Sequence, residues 1–196
     1  MFRDQDVNIY NHGQRDYNIT YKYNMLDLAF LNFSGRNYLV DLTARYELYH
    51  FNNLLSGNGP IDVRLGNQHY VSYHFKIHFN SQNREYFTSS GARFETEYGL
   101  YTDNFVKYND HNPFSVVSAR WQIAFRLNNR LVLQPMAYGR VVWGDDIPLC
   151  QFNVVGSEMF GHYFSQQMPF SGINNVEYVE NAFVGCQFQL QQRIMD

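Results

Sequence analysis

The stretch NAFVGCQFQLQQRIM, Asn181 to Met195, exchanges apolar and polar residues at almost every step. Ala182, Val184, Cys186, Phe188, Leu190 and Ile194 share one parity; Gln187, Gln189, Gln191 and Arg193 share the other. Successive side chains of a β-strand point to opposite faces, so the stretch reads as a strand with one oily and one wet side. Strands of this kind, about nine to eleven residues long, are what a barrel needs to cross an outer membrane.

The alternation recurs upstream. Tyr17, Ile19, Tyr21, Tyr23 and Met25 alternate with Asn18, Thr20, Lys22 and Asn24, and Val40, Leu42, Ala44, Tyr46 and Leu48 oppose Asp41, Thr43, Arg45 and Glu47. Beyond a Gly/Asn/Pro turn signal at 56–60, Val71, Tyr73, Phe75, Ile77 and Phe79 oppose Ser72, His74, Lys76 and His78. Ala92, Phe94, Thr96, Tyr98 and Leu100 oppose Arg93, Glu95 and Glu97; Val117, Ala119, Trp121, Ile123, Phe125 and Leu127 oppose Ser118, Arg120, Gln122 and Arg126. Asn128-Asn129 predicts a tight turn into a sixth run, Leu131 to Trp143, whose facing is left ambiguous by Pro135 and Gly139. Leu26 to Phe33 is the one place where a short helical turn is expected, and the stretch from Gly144 to Asn181 reads as a large loop with one or two weak strands. About eight to ten strands result, in one all-β, antiparallel transmembrane barrel domain spanning residues 1–196.

Composition removes other classes. The chain has 196 residues, 45% hydrophobic and 18% aromatic, which is too oily for disorder. Its formal charge is −3 with no basic run, so nucleic acid is not an expected partner. Cys150 and Cys186 stand far apart outside any Cys/His cluster, and Cys186 lies on an oily row, so a buried or lipid-facing thiol is expected, not a disulfide. No stretch of about 18 apolar residues offers a membrane helix. The opening Met1-Phe-Arg-Asp-Gln-Asp carries no apolar export signal, and the close at Gln-Arg-Ile-Met-Asp follows directly on a strand. Both ends therefore lead us to expect a piece of a longer polypeptide.

A soluble lipocalin-like barrel or sandwich also alternates with period two, but its wet rows meet bulk water and favour Lys and Glu. Here the wet rows mix amides and hydroxyls with opposite charges in close sequence, which suits a narrow lumen. The lumen-facing charges are then Lys22, Asp41, Arg45, Glu47, Lys76, Arg93, Glu95, Glu97, Arg120, Arg126 and Arg193. Their basic surplus indicates a weak anion preference. Tyr17, Phe79, Tyr101, Phe114, Trp143 and Phe183 fall toward strand ends, where interfacial girdles are expected.

The segment from Asn153 to Ile194 resembles the C-terminal barrel of bacterial patatin-like phospholipases. The resemblance is carried by a glycine-bearing strand end, a tyrosine loop, a Gln-x-Pro-Phe-x-Gly element and a strand ending in Arg, here Gly156, Gly161, Tyr163, Gln167, Pro169, Phe170, Gly172 and Arg193. It implies membership of the superfamily of outer-membrane insertion factors and two-partner secretion transporters, whose barrels have sixteen strands and a long loop folded into the lumen. Residues 144–180 would supply that loop, with Gly156, Gly161, His162, Tyr163, Gln167, Pro169, Phe170 and Gly172 in contact with the lumen. The superfamily's Arg-Gly-Phe/Tyr loop signature is replaced here by Phe160-Gly161-His162-Tyr163. Backbone leaving the ladder at membrane depth needs partners inside the barrel, which gives such a loop an independent physical reason; the alternative is an ordinary extracellular loop whose glycines only turn the chain.

No catalytic motif is present. A patatin-type hydrolase needs Gly-x-Ser-x-Gly on a strand-to-helix elbow, and Gly156-Ser157-Glu158 lacks the second glycine. His74 and His78, about 13 Å apart along one strand face, do not chelate one metal, so no metal and no cofactor are expected. Three functions remain open. The chain is the barrel of a patatin-like phospholipase in the bacterial outer membrane, anchoring or passing an upstream hydrolase domain, with outer-membrane lipid and that domain as partners. Alternatively it is a stand-alone porin or secretion barrel, or a soluble binding barrel. An upstream Ser elbow separates the first two, and detergent dependence separates both from the third.

Overall fold

Unbroken alternation becomes pleated strand throughout a computed structural model that describes residues 3–11, 14–56, 66–83, 88–102, 113–145, 147–148, 151–156, 167–169 and 178–192. The strands are β1 (Arg3–Asn11), β2 (Gln14–Ser34), β3 (Tyr38–Ser56), β4 (Gly66–Asn80), β5 (Gly91–Thr102), β6 (Phe114–Arg126), β7 (Leu131–Gly144), β8 (Asn153–Gly156), β9 (Gln167–Pro169), β10 (Tyr178–Glu180) and β11 (Ala182–Gln192). Eight form one antiparallel sheet in the order β1-β2-β3-β4-β5-β6-β7-β11, and β10-β8-β9 form a second, three-stranded sheet. The weak strands expected between Gly144 and Asn181 are thus three. A further strand, β1, lies ahead of the first expected one; Val7, Ile9 and Tyr10 interrupt its polar sequence.

Leu26 to Phe33 is not a helical turn but the continuation of β2. Its crowded apolar residues are accommodated by a β-bulge that leaves Phe30 unpaired between Ala29↔Thr43 and Leu31↔Leu42. With 21 residues in β2 and 19 in β3, these strands far exceed what a bilayer needs. At about 3.3 Å per residue, β2 runs about 70 Å against a hydrocarbon core of about 30 Å.

That excess length explains how the two faces are filled. Toward the short turns the outer face is oily: Phe75 is 41%, Trp121 43% and Phe188 74% exposed, and Leu26, Leu28 and Phe33 stand in the open beside them. Toward the long connections the apolar parity flips. In β2 it passes from Ile19, Tyr21 and Tyr23 to Leu26 and Leu28; in β3 it passes from Leu42 and Tyr46 to Tyr49 and Phe51. The inward residues at that end form a continuous row of rings: Tyr21–Phe51 at 5.5 Å, Tyr49–Tyr70 at 6.0 Å, Tyr70–Phe114 at 6.1 Å and Tyr101–Phe114 at 4.5 Å between centroids. The sheet therefore presents oil outward along one part of its length and oil inward along the other.

Three expectations are corrected by this flip. Lys22 pairs with His50 on the outer face, opposite to Arg45 and Glu47, so it is not a charge of the inner face. Tyr101 and Phe114 are buried inside and not part of a girdle, whereas Phe79 and Trp143 are exposed outside. Phe183 pairs with Arg140 on the inner parity. The side chain of Tyr17 lies outside the described residues. For β7, the register settles the facing: Gln134, Met136, Tyr138, Arg140 and Val142 point inward with Gln122 and Ser118, while Val141 and Trp143 are exposed outside. Cys186 is free and exposed on the oily row, and Cys150 lies outside the described residues.

Turn chemistry fixes the short connections. Gly35 N donates to Tyr38 O at 2.8 Å, and Asn128 Oδ1 accepts from Arg130 N at 2.8 Å. Gly91 starts β5 at a φ of 102°, where an added Cβ would meet the Ser81 carbonyl. Gly91→Ala is therefore expected to lose about 1 to 3 kcal/mol of stability, from a left-handed residue and a backbone collision. Urea unfolding of the protein in lipid vesicles measures it, and an unchanged midpoint would contradict the assignment.

Candidate functional site

The inner face near the short turns is a wall of paired charges. Register aligns Asp41, Lys76, Glu97, Ser118 and Arg140 in one row across β3 to β7, with His78, Glu95, Arg120 and Tyr138 in the next. Opposite charges become cross-strand neighbours: Lys76 Nζ lies 3.5 Å from Glu97 Oε1, and His78 Nδ1 lies 3.0 Å from Glu95 Oε1, which also accepts from Arg93 Nε at 3.0 Å. Pairs this exposed contribute little stability each, but together they keep the wall wettable without a dominant sign. Arg126 donates to Ser89 Oγ at 2.7 Å at the open end of this row, and Gln122, Gln134 and Gln191 continue it as an amide ladder at 3.3 and 3.2 Å.

Further in, the wall is dry. Glu47 is 2% exposed, and its two oxygens are shared among Tyr23 OH at 3.0 Å, Arg45 Nη1 at 3.9 Å and Gln151 Nε2 at 3.4 Å. Arg45 in turn holds Asp27 in a two-pronged pair at 2.7 and 3.2 Å. Burying a carboxylate is tolerable only with such compensation. Gln151 and Asn153 are fully buried, and both are bound by Arg140, whose guanidinium donates to Gln151 O at 2.7 Å and Asn153 Oδ1 at 3.0 Å. Asn153 Nδ2 returns a bond to Arg140 O at 3.2 Å. The short segment at 151–153 thus spans the concave face from β7 to β3, two strands that lie four places apart in the sheet.

Ser72, His74 and Glu97 form a relay: Ser72 Oγ to His74 Nε2 at 2.8 Å and His74 Nδ1 to Glu97 Oε1 at 2.7 Å. The order matches a serine-hydrolase triad, but Ser72 is completely buried, so no substrate carbonyl reaches its oxygen. The relay satisfies a buried imidazole instead. Gly99 makes room for it, since a Cβ there would stand 3.2 Å from the His74 ring.

The sheet gathers Asp41, Arg45, Glu47, Lys76, Arg93, Glu95, Glu97, Arg120 and Arg126 on one face and leaves Lys22 on the other. Gly156, Gln167 and Pro169 lie in the small sheet, where Gly156 pairs with Pro169 and Gln167 with Val154. Gly161, His162, Tyr163, Phe170, Gly172 and Arg193 lie outside the described residues. Sequence reasoning missed Tyr23, Asp27, Arg140, Gln151 and Asn153. Arg140 was within reach, as the single cation between Leu131 and Trp143 and of the same parity as Gln134. Among the residues of β2 to β7 whose side chains are described, Arg45, Lys76, Arg93, Arg120, Arg126 and Arg140 face Asp27, Asp41, Glu47, Glu95 and Glu97, so within that set the basic surplus is a single charge. No group of three metal-ligating residues occurs among the described residues.

Arg140→Ala is expected to strand the acceptors of Gln151 and Asn153, at roughly 1 to 3 kcal/mol for buried acceptors left without a donor. Hydrogen exchange at the Gln151 and Asn153 amides is expected to accelerate; protection equal to wild type would show that Arg140 does not hold the segment.

No curated protein and no solved structure matches this chain. A family model described as the OMP85 superfamily matches residues 18–196, from within β2 through the charged wall, the 151–153 segment and β11, and the chain belongs to that superfamily of outer-membrane β-barrels.

Proposed function

We propose that this chain is the barrel region of a patatin-like phospholipase in a bacterial outer membrane, anchoring or translocating a lipid-acyl hydrolase domain upstream of it in the same polypeptide. The observation that carries the barrel role is the opposition of faces: exposed Phe75, Trp121 and Phe188 outward, paired charges such as Lys76 and Glu97 inward. Oil meets acyl chains, and the charges meet a wet lumen. The hydrolase partner rests on the resemblance of Asn153 to Ile194, since the 196 residues contain no Gly-x-Ser-x-Gly. Unpaired edges are not tolerated in hydrocarbon, so the free edges of β1 and β11 require partners, and the resemblance to sixteen-stranded barrels favours further strands over pairing of the two edges with each other.

The bridge from Arg140 through Gln151 to Glu47 favours a second reading, a secretion-type barrel with a closed resting lumen. The parent polypeptide separates the two. On the first reading, the region ahead of residue 1 encodes a serine elbow, and the purified parent releases fatty acid from phospholipid vesicles. A parent without a hydrolase domain, yet still in the outer-membrane fraction with heat-modifiable migration, would leave the secretion reading. Within the barrel, Ile123→Arg on the oily row is expected to cost about 2 to 4 kcal/mol at mid-depth. Unaltered folding into vesicles would remove Ile123 from the lipid face.

A further inference from the structure

A cavity of about 330 Å³ with a mixed polar and apolar lining lies between the β2–β3 turn and the residues that follow β4, bounded by Arg36, Asn37, Tyr38, His78, Asn80 and Gln82 among others. Its walls are fixed by backbone: Asn80 N donates to Asn37 O at 2.7 Å, and Gln82 N donates to Asn80 Oδ1 at 3.0 Å. Tyr38 belongs to the outer face and His78 to the inner one, so the cavity opens at the rim of the sheet.

Two groups there lack partners among the described residues. Gln82 Nε2 is buried without an acceptor, and the guanidinium of Arg36 enters no hydrogen bond or ion pair. A buried donor without a protein acceptor is costly, and it is met by water or by a ligand that accepts. The exposed guanidinium of Arg36 lines the same cavity and favours an anionic acceptor, with phosphate a good geometric match. The nearby carboxylate of Glu95 does not oppose this, because His78 and Arg93 already hold it.

The surroundings select the source of the phosphate. Phe33, Tyr38 and Phe79 are all large, exposed and close to this rim, at 57%, 44% and 39% exposure. Aromatic side chains so placed mark headgroup depth in a membrane barrel. We infer that the cavity binds the phosphate of a membrane phospholipid headgroup, with Arg36 supplying charge and Gln82 an amide donor. The inference rests on the membrane-embedded reading of the barrel.

Native mass spectrometry of the full protein in mild detergent, with added phosphatidylglycerol, tests it. Wild type is expected to retain one lipid that Arg36→Gln and Gln82→Leu each weaken about tenfold, while both variants keep the heat-modifiable fold. Equal retention in wild type and variants would overturn the site. Displacement of the lipid by millimolar inorganic phosphate would identify a free-ion site and overturn the headgroup assignment. Wild-type protein that stays soluble without detergent would sink the membrane reading and the site with it.

Discussion

Hydrocarbon offers no hydrogen bonds, and most of the structure follows from that. A segment at membrane depth must satisfy its backbone through neighbouring strands and turn its polar side chains away from lipid. The antiparallel ladder does the first for β2 to β7, and the charged inner wall does the second. Where charges leave water altogether, as Glu47 and Arg140 do, they are matched by specific donors and acceptors and not by one another alone.

The same constraint accounts for the reversal of faces along the strands. Beyond the bilayer the outer surface meets water, and the sheet there behaves like that of a soluble protein, with Ile19, Tyr21, Tyr49, Phe51, Tyr70 and Phe114 packed inside. The aromatic layer and the buried Gln151–Asn153 segment lie on the same concave face as the charged wall. The inner surface is thus not uniformly wet: one part is charged and half-exposed, and the other is sealed by rings and by a segment held between β3 and β7.

Most of the sheet was legible because a period of two in sequence maps directly onto two faces in space. The rows of Phe75, Trp121 and Phe188 and of Arg45, Lys76 and Glu97 fall where alternation puts them. The misreadings share a cause. Lys22 was assigned on the premise that the apolar side always faces outward, and the flip between Tyr23 and Leu26 shows in the sequence that it does not; Tyr101 and Phe114 were placed in a girdle from their position near strand ends, although their parity is that of the inner row. Leu26 to Phe33 looked irregular because a bulge at Phe30 shifts the period by one, and Pro135 and Gly139 hid the parity that carries Arg140 inward.

By itself, the sequence determined that this chain is an all-β sheet with opposed faces, because alternation and turn residues act over a few neighbours. It also carried the resemblance to outer-membrane barrels. Tertiary structure alone decided which polar residues meet. Glu47 and Gln151 are separated by 104 positions in the chain and share a hydrogen bond only because five strands curve to bring β3 and β7 to the same segment. Which groups compensate a buried charge depends on distance in space, and no local pattern encodes it.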